Sequence, residues 1–411
     1  MRTVTIWGCA ILATVLYAMP ARADDEQWLS YRKSAQPYHY LGWTAGWSTK
    51  MTDKPPEGVA LPKFRGDKPR FSWWVRKEYA GGQFVQGKIV WLAWDQSGKG
   101  GYDLLYIDSN LDGSLADEKP IKADNVSQDG KRAMFPLVKV MVPGDDGLVA
   151  CYLNIAKYEG TGDEVRYEAG GWYEGAVTIG GRKYFCRVID NCCNGVFNDS
   201  GANRNQCDKI ILVPYESRDE IGEMLNSSDK SPARFIGRWL ELDGKWFAME
   251  VARDGACVKF TPAEKVPTGT VRLGEGANES ITVMGPTGQF TRKPKDGLVE
   301  LPAGRYAVDE WSASKSDSRN VVWQLAFRGE PNKVVTFEVA EGKETAPDIG
   351  QKIVCEVDAS FDGLEWRISP QLVSSGAVAT LQRNGSQADA PKATIANADG
   401  TYKKTFTMEF G

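Results

Sequence analysis

The sequence predicts a mainly β protein, built from several antiparallel sandwich or barrel-like modules with few short helices. Three observations carry this expectation. From about Phe71 onward, short aromatic and β-branched runs alternate with polar residues and are separated by Gly, Asp and Asn, as in Gln86-Gly-Lys-Ile-Val-Trp-Leu-Ala-Trp94 and Lys183-Tyr-Phe-Cys-Arg-Val-Ile189. Trp239 to Val251, followed by Asp254-Gly255, reads as two strands around an Asp-Gly turn, the strongest short-range hairpin signal. Only Ser217 to Leu225 carries a helix signal, through the capping-box spacing of Ser217 and Glu220.

In chain order, residues 1–23 have the form of a secretory signal. Arg2 precedes an apolar run from Ile6 to Met19, and Ala21-Arg22-Ala23 supplies small residues for cleavage after Ala23. That run is shorter than the roughly 20 apolar residues that span a bilayer, and no later segment is long and apolar enough to do so. The expected location is therefore exported: periplasmic, cell-surface or extracellular. Residues 24–68, broken by Pro55, Pro56 and Pro62, read as an irregular lead-in. Residues 69–235 read as a β domain with two acidic loops, 236–345 as a hairpin followed by a sandwich, and 346–411 as a further β segment. Asp358-Ala-Ser360-Phe-Asp362-Gly363 reads as a hairpin turn, because Arg367 stands where an acid would complete a metal loop.

With 25% charged and 42% hydrophobic residues the chain has the composition of a globular protein. Loss of Arg2 and Arg22 with the signal would take the net charge from −4 to about −6. Such a balance provides no electrostatic footprint for nucleic acid or anionic membrane. Seven cysteines follow residue 23, an odd number without any C-x-x-C pair, which argues against a zinc knuckle or thioredoxin-type site. Cys192, Cys193 and Cys207 bracket one acidic loop, and a disulfide from Cys207 to one of the adjacent pair is an expectation.

The clearest chemical signal is Asp108-Ser-Asn110-Leu-Asp112-Gly113-Ser114-Leu-Ala-Asp117-Glu118. Oxygen-bearing side chains at alternate positions, then glycine, let a backbone wrap one hard cation, with the Ser114 carbonyl as a further ligand. The predicted calcium ligands are Asp108, Asn110, Asp112, Ser114 and Asp117, and few carboxylates imply a weak structural site, on the order of 10⁻⁴ to 10⁻³ M. A second loop, Asp190 to Asp199, repeats the spacing and adds Asp190, Asn194 and Asp199 as candidates. Cys192 stands there at the third place, where a thiol is a poor ligand for a hard ion, so the loop is expected to bind weakly, to share a site with Asp208, or to keep only the shape of an ancestral site. The strands around these loops also suggest an internal repeat, pairing Gly87–Asp95 and Asp103–Ile107 with Gly181–Asp190 and Asp208–Val213.

The first loop resembles the EF-hand and dockerin type through Asp108, Asn110, Asp112, Gly113 and Leu115, departing at Lys119, where those families place a carboxylate that Asp117 or Glu118 would have to supply. Pro120 and the strand-like Leu104 to Ile107 argue against a helix-loop-helix. Around Leu301-Pro-Ala-Gly304-Arg-Tyr306, roughly residues 266 to 340 resemble the small transthyretin-like sandwiches of secreted bacterial proteins, which implies a scaffold role without catalytic residues. As a whole, the chain is similar to uncharacterised exported bacterial β-rich proteins that combine such loops and modules.

Searching for catalytic patterns yields no G-x-S-x-G elbow, H-E-x-x-H pair, Walker loop or complete dinucleotide fingerprint. The single histidine, His39, has no identifiable nucleophile beside it. A non-catalytic exported protein with a structural calcium loop is the primary expectation. One alternative is carbohydrate binding through exposed Trp73, Trp74, Trp91, Trp94, Trp172 and Tyr173; a second is glycoside hydrolysis by paired carboxylates. The partner classes in view are a polysaccharide or another exported protein.

Overall fold

The computed structural model describes residues 26–34, 46–80, 83–98, 101–144, 147–158, 163–226, 231–329, 335–361, 363, 365–375 and 377–408. The expected signal at 1–23 and His39 lie outside them. The described chain is mainly β, in antiparallel sheets that stay open, and none closes into a barrel. No described helix is long and apolar enough to cross a membrane.

Period-two alternation builds the first sandwich. In Gly147–Tyr158 every second residue from Cys151 is buried, and Cys151, Leu153 and Ile155 enter one core. That strand pairs with Glu164–Ala169, Arg132–Met134 and Val138–Gly144, and Trp47–Lys50 extends the sheet. A second sheet of Arg70–Ala80, Gln83–Asp95, Leu104–Ile107 and Ile121–Lys122 shares the core through Trp74, Trp94 and Leu105. On the outer face of this sheet Phe71, Ala93, Tyr106 and Leu115 form a smaller cluster under Val59 and Phe64. Part of the expected irregular lead-in is thus a cover for apolar surface.

The second sandwich sets Ser30–Lys33, Gly171–Ile179, Arg182–Ile189, Lys209–Pro214 and Ala233–Phe235 against Gln27–Trp28, Cys257–Ala263, Lys245–Val251 and Trp239–Leu242. Consecutive strands at 27–28 and 30–33 join opposite sheets, and Leu29 between them is buried in the shared core. The stretch read as one β domain, 69–235, therefore contributes to two cores. The hairpin region holds three strands: Asp243 and Gly244 carry φ of 50° and 72°, the twist a two-residue turn needs, and a further turn at Asp254-Gly255 leads to Cys257–Ala263. The helix begins later than predicted. Tyr215–Glu220 is a 3₁₀ turn with Pro214 at its cap and no side-chain capping bond, so Ser217 and Glu220 make no capping box. The α-helix is Ile221–Asn226, whose Ile221 packs on Trp172, Ile189, Ile211 and Val213.

In the third sandwich, Thr268–Arg272 lies between Leu298–Pro302 and the parallel Glu344–Thr345. The facing sheet includes Ser280–Gly285, Gly304–Ser316, Val322–Gly329 and Ala377–Arg383. Trp311 and Phe327 stack in the core at 3.8 Å. The sheet continues into Trp366–Ser374 and Val354–Phe361, paired out to Phe361↔Trp366, so Asp358 to Phe361, expected in a turn, lie in the strand instead. A last hairpin, Lys392–Ala396 with Lys403–Thr407, is largely exposed.

Candidate metal centre

Both acidic loops follow a strand and fold the same way. In the first, Asp108 accepts from the amides of Asp112 and Gly113, each at 3.1 Å. Asp190 accepts from Asn194 at 3.0 Å and Gly195 at 2.6 Å, the same two offsets. The third residue after each aspartate has positive φ, 62° at Leu111 and 55° at Cys193, and the glycines lie at 83° and 80°. Leu115 and Phe197, seven residues on, are buried. The observed correspondence therefore matches Asp108 to Asp190, pairing Leu104–Ile107 with Arg182–Ile189 and the hairpin partner Gln83–Asp95 with Gly171–Ile179. The sequence-based repeat aligned Asp95 with Asp190. Asp95 instead accepts from the amides of Arg65 and Gly66, 2.7 and 2.9 Å away.

The two loops differ in what their carboxylates face. Asp108 is buried, but Asp112 and Asp117 are exposed, and Asp112 takes the Ser114 amide at 2.8 Å and the Asn110 side-chain amide at 2.9 Å. Asn110 accepts the Asp112 amide at 3.1 Å. Glu118, one residue beyond the predicted ligand Asp117, folds back onto the Ser109 amide at 2.7 Å. Burial raises the carboxyls of both Asp108 and Glu118. The side chain of Ser114 accepts from the Ala116 amide. Hydrogen bonds within the loop thus engage Asp108, Asn110, Asp112 and Ser114.

At the second loop the acids converge. Asp190, Asn191, Asn194, Asp199, Cys192, Cys193 and Asp208 are all buried, Asp208 completely. Asp208, just before the strand Lys209–Pro214, is the residue with which the loop was expected to share a site. Its two oxygens accept the Asn191 amide at 3.0 Å and the Asp199 amide at 2.8 Å. The Cys192 sulfur stands 3.7 Å from Asp190 Oδ1, 3.3 Å from Asp199 Oδ2 and 3.7 Å from Asp208 Oδ1. Among the described residues, the metal-ligating side chains that come together within 4.8 Å are Asp190, Cys192 and Asp208. Asn194 is engaged by hydrogen bonds within the loop. Its oxygen takes the Val196 amide at 2.8 Å and its amide group donates to Asp199 at 2.6 Å, so it orients a carboxylate rather than facing the common centre.

Burial drives the electrostatics of this group. It pushes the Asp190 carboxyl up to about 7, against the Gly195 and Asn194 amides, and Asp199 adds to the rise. Asp208 is raised well above the usual carboxylate range by burial, then by Asp190 and Asp199. The Cys192 thiol is raised by burial and then by the three carboxylates. Taking such acids out of water as anions is costly without a compensating proton or cation.

The loop is also a joint between sandwiches. Trp74 of the first donates its indole N–H to the Cys193 carbonyl at 3.0 Å. A side chain at Gly195 would meet the Val142 methyls at 2.9 and 3.0 Å, so the glycine permits close approach. Phe197 enters the second core, and its amide bonds the Arg253 carbonyl. The expected disulfide is not formed. Cys192, Cys193 and Cys207 carry no disulfide: Cys192 faces aspartates, and Cys207 donates to the Asn203 carbonyl at 3.1 Å.

Comparison with protein-family models, with curated proteins and with solved structures finds no match to this chain.

Proposed function

We propose that this is an exported, non-catalytic β-sandwich protein in which loop 190–208 holds one structural divalent cation between the first two sandwiches. The observation that carries the reading is the meeting of three buried carboxylates at one buried thiol. Asp190, Asp208 and Cys192 are the proposed ligands, with Asp199 beside them, its Oδ2 3.3 Å from the sulfur. Bound cation would neutralise the buried charge and stabilise the folded chain by mass action. The export part of the reading rests on the sequence of residues 1–23.

The donor set moves the choice of ion. Calcium takes six to eight oxygens, whereas here two carboxylates join a sulfur. A tetrahedral ion with sulfur at about 2.3 Å and oxygen at about 2.0 Å separates those donors by roughly 3.5 Å. The sulfur–oxygen distances of 3.7 Å to Asp190 and to Asp208 lie near that edge, which favours zinc or a similar transition ion over the calcium expected from spacing. The first loop, closed by its own hydrogen bonds, is assigned a turn role.

The alternatives find less support. Trp74, Trp94 and Trp172 are buried, and the half-buried Trp73 and Trp91 meet edge to face at 66° rather than forming a flat sugar platform. The three acids line neither of the two large cavities, which disfavours a hydrolase.

Elemental analysis of the purified mature chain, paired with melting in chelator and in zinc, manganese and calcium series, tests the proposal. One bound transition ion per chain, lost together with its melting increment in Asp190→Asn plus Asp208→Asn, is expected. No stoichiometric metal and no ion-dependent shift would overturn it.

A further inference from the structure

A cavity of about 720 Å³ lies between the second and third sandwiches, within the size range of small-molecule sites. Its walls are held apart by fixed contacts. The amides of Arg238 and Trp239 bond the carbonyls of Pro286 and Thr287 at 3.0 and 2.8 Å, and the Phe235 amide bonds Gln289 Oε1 at 3.0 Å. Gly237 meets Gly288 so closely that a side chain there would lie 2.4 Å from its backbone. The two sandwiches therefore touch at one edge and leave the space beside it open.

Charge distinguishes this space from an ordinary seam. Arg204 and Lys209 reach it from the strand-bearing wall of the second sandwich, with Arg234 beside them, while Arg292 and Arg328 come from the third. Against these five cationic groups the described lining sets three carboxylates. Each is matched by one arginine: Arg204 with Asp309, Arg292 with Glu241 at 2.7 Å, and Arg328 with Glu310 at 3.1 Å. The first two of these pairs bridge the sandwiches and preorganise the guanidinium planes. Arg234 directs one nitrogen to the Glu241 carbonyl at 2.9 Å, and Phe235, Trp239 and Phe290 add apolar wall. A positive, polar concavity with rigid walls and planar donor forks is suited to bidentate recognition of oxyanions.

We infer that this inter-sandwich cleft binds a small ligand bearing carboxylate or phosphate oxyanions, with Arg234 and Arg328 among its contacts. The inference makes no use of a bound metal. Isothermal titration of the full mature chain with inorganic phosphate and, separately, citrate tests it at low ionic strength. At least one probe is expected to bind, more weakly as salt rises. Arg234→Ala and Arg328→Gln should each weaken binding about tenfold, while Arg182→Ala, outside the cavity, should leave it unchanged. Circular dichroism checks that each variant is folded, and Arg328→Gln at the exposed rim serves if Arg234→Ala is not. Binding of phosphate alone identifies a phosphate-bearing ligand, and of citrate alone a polycarboxylate. Absence of binding by both at about 10 mM, where a Kd of about 1 mM is readily seen, would overturn the inference. So would wild-type affinity in the folded arginine variants.

Discussion

Raising pH in the absence of metal should destabilise the first two sandwiches, through Asp190. In the folded chain burial lifts this carboxyl from the ordinary 3.8 to about 7, whereas in the unfolded chain it returns to the ordinary value. Between those values the native state binds a proton that the unfolded state does not, so stability falls as pH rises through this window. A difference of about three pH units at about 1.4 kcal/mol each gives a loss on the order of 4 kcal/mol, complete above about pH 7. Asp208 is raised for the same reasons and acts in the same direction. The assay is urea denaturation of chelator-treated protein at pH 5 and pH 8, followed by tryptophan fluorescence. Lower stability at pH 8 is expected, shrinking when a bound cation replaces the proton. Asp199→Asn, which keeps an acceptor for Asn194 but removes a charge that raises Asp190, should flatten the difference. Equal stability at both pH values in chelator, or greater stability at pH 8, would refute the electrostatic account.

Other outcomes follow from single contacts. Trp74→Phe removes the donor to the buried Cys193 carbonyl and should cost about 1–3 kcal/mol in denaturant. Gly195→Ala places a methyl against Val142 at φ of 80° and should cost about 1–2 kcal/mol or more, with weaker cation binding by titration. Trp311→Ala removes the stacked partner of Phe327; a loss of about 3–5 kcal/mol should appear in the calorimetric transition of the third sandwich and spare the others. Native alkylation followed by mass spectrometry should label Cys355, the exposed cysteine, while the six buried described thiols need denaturant.

Both acidic loops were legible in the sequence, because Asp and Gly at fixed offsets encode local backbone hydrogen bonds that need no tertiary partner. How deeply each loop is buried was not. The first has the better ligand spacing, yet Asp112 and Asp117 stay exposed and Glu118 turns to Ser109. The second has a worse spacing, yet burial between two cores gathers its acids. Asp208 carried one available signal: it precedes a strand whose apolar run pairs with the strand before Asp190, and that pairing brings the two ends together. Asn194 accepts the Val196 amide and donates to Asp199, contacts its spacing did not show.

By itself the sequence determined what depends on neighbours a few residues away: strand alternation, the Asp-Gly turns and the loop conformations. These follow from side-chain period and backbone sterics, which act locally. Only the tertiary structure decided that residues 69–235 serve two cores, that Leu29 links opposite sheets, and that arginines from separate sandwiches share a cleft. It also brought Asp208 to Asp190, because burial and desolvation depend on residues far apart in the chain, and a carboxylate's environment has no signature in its own spacing.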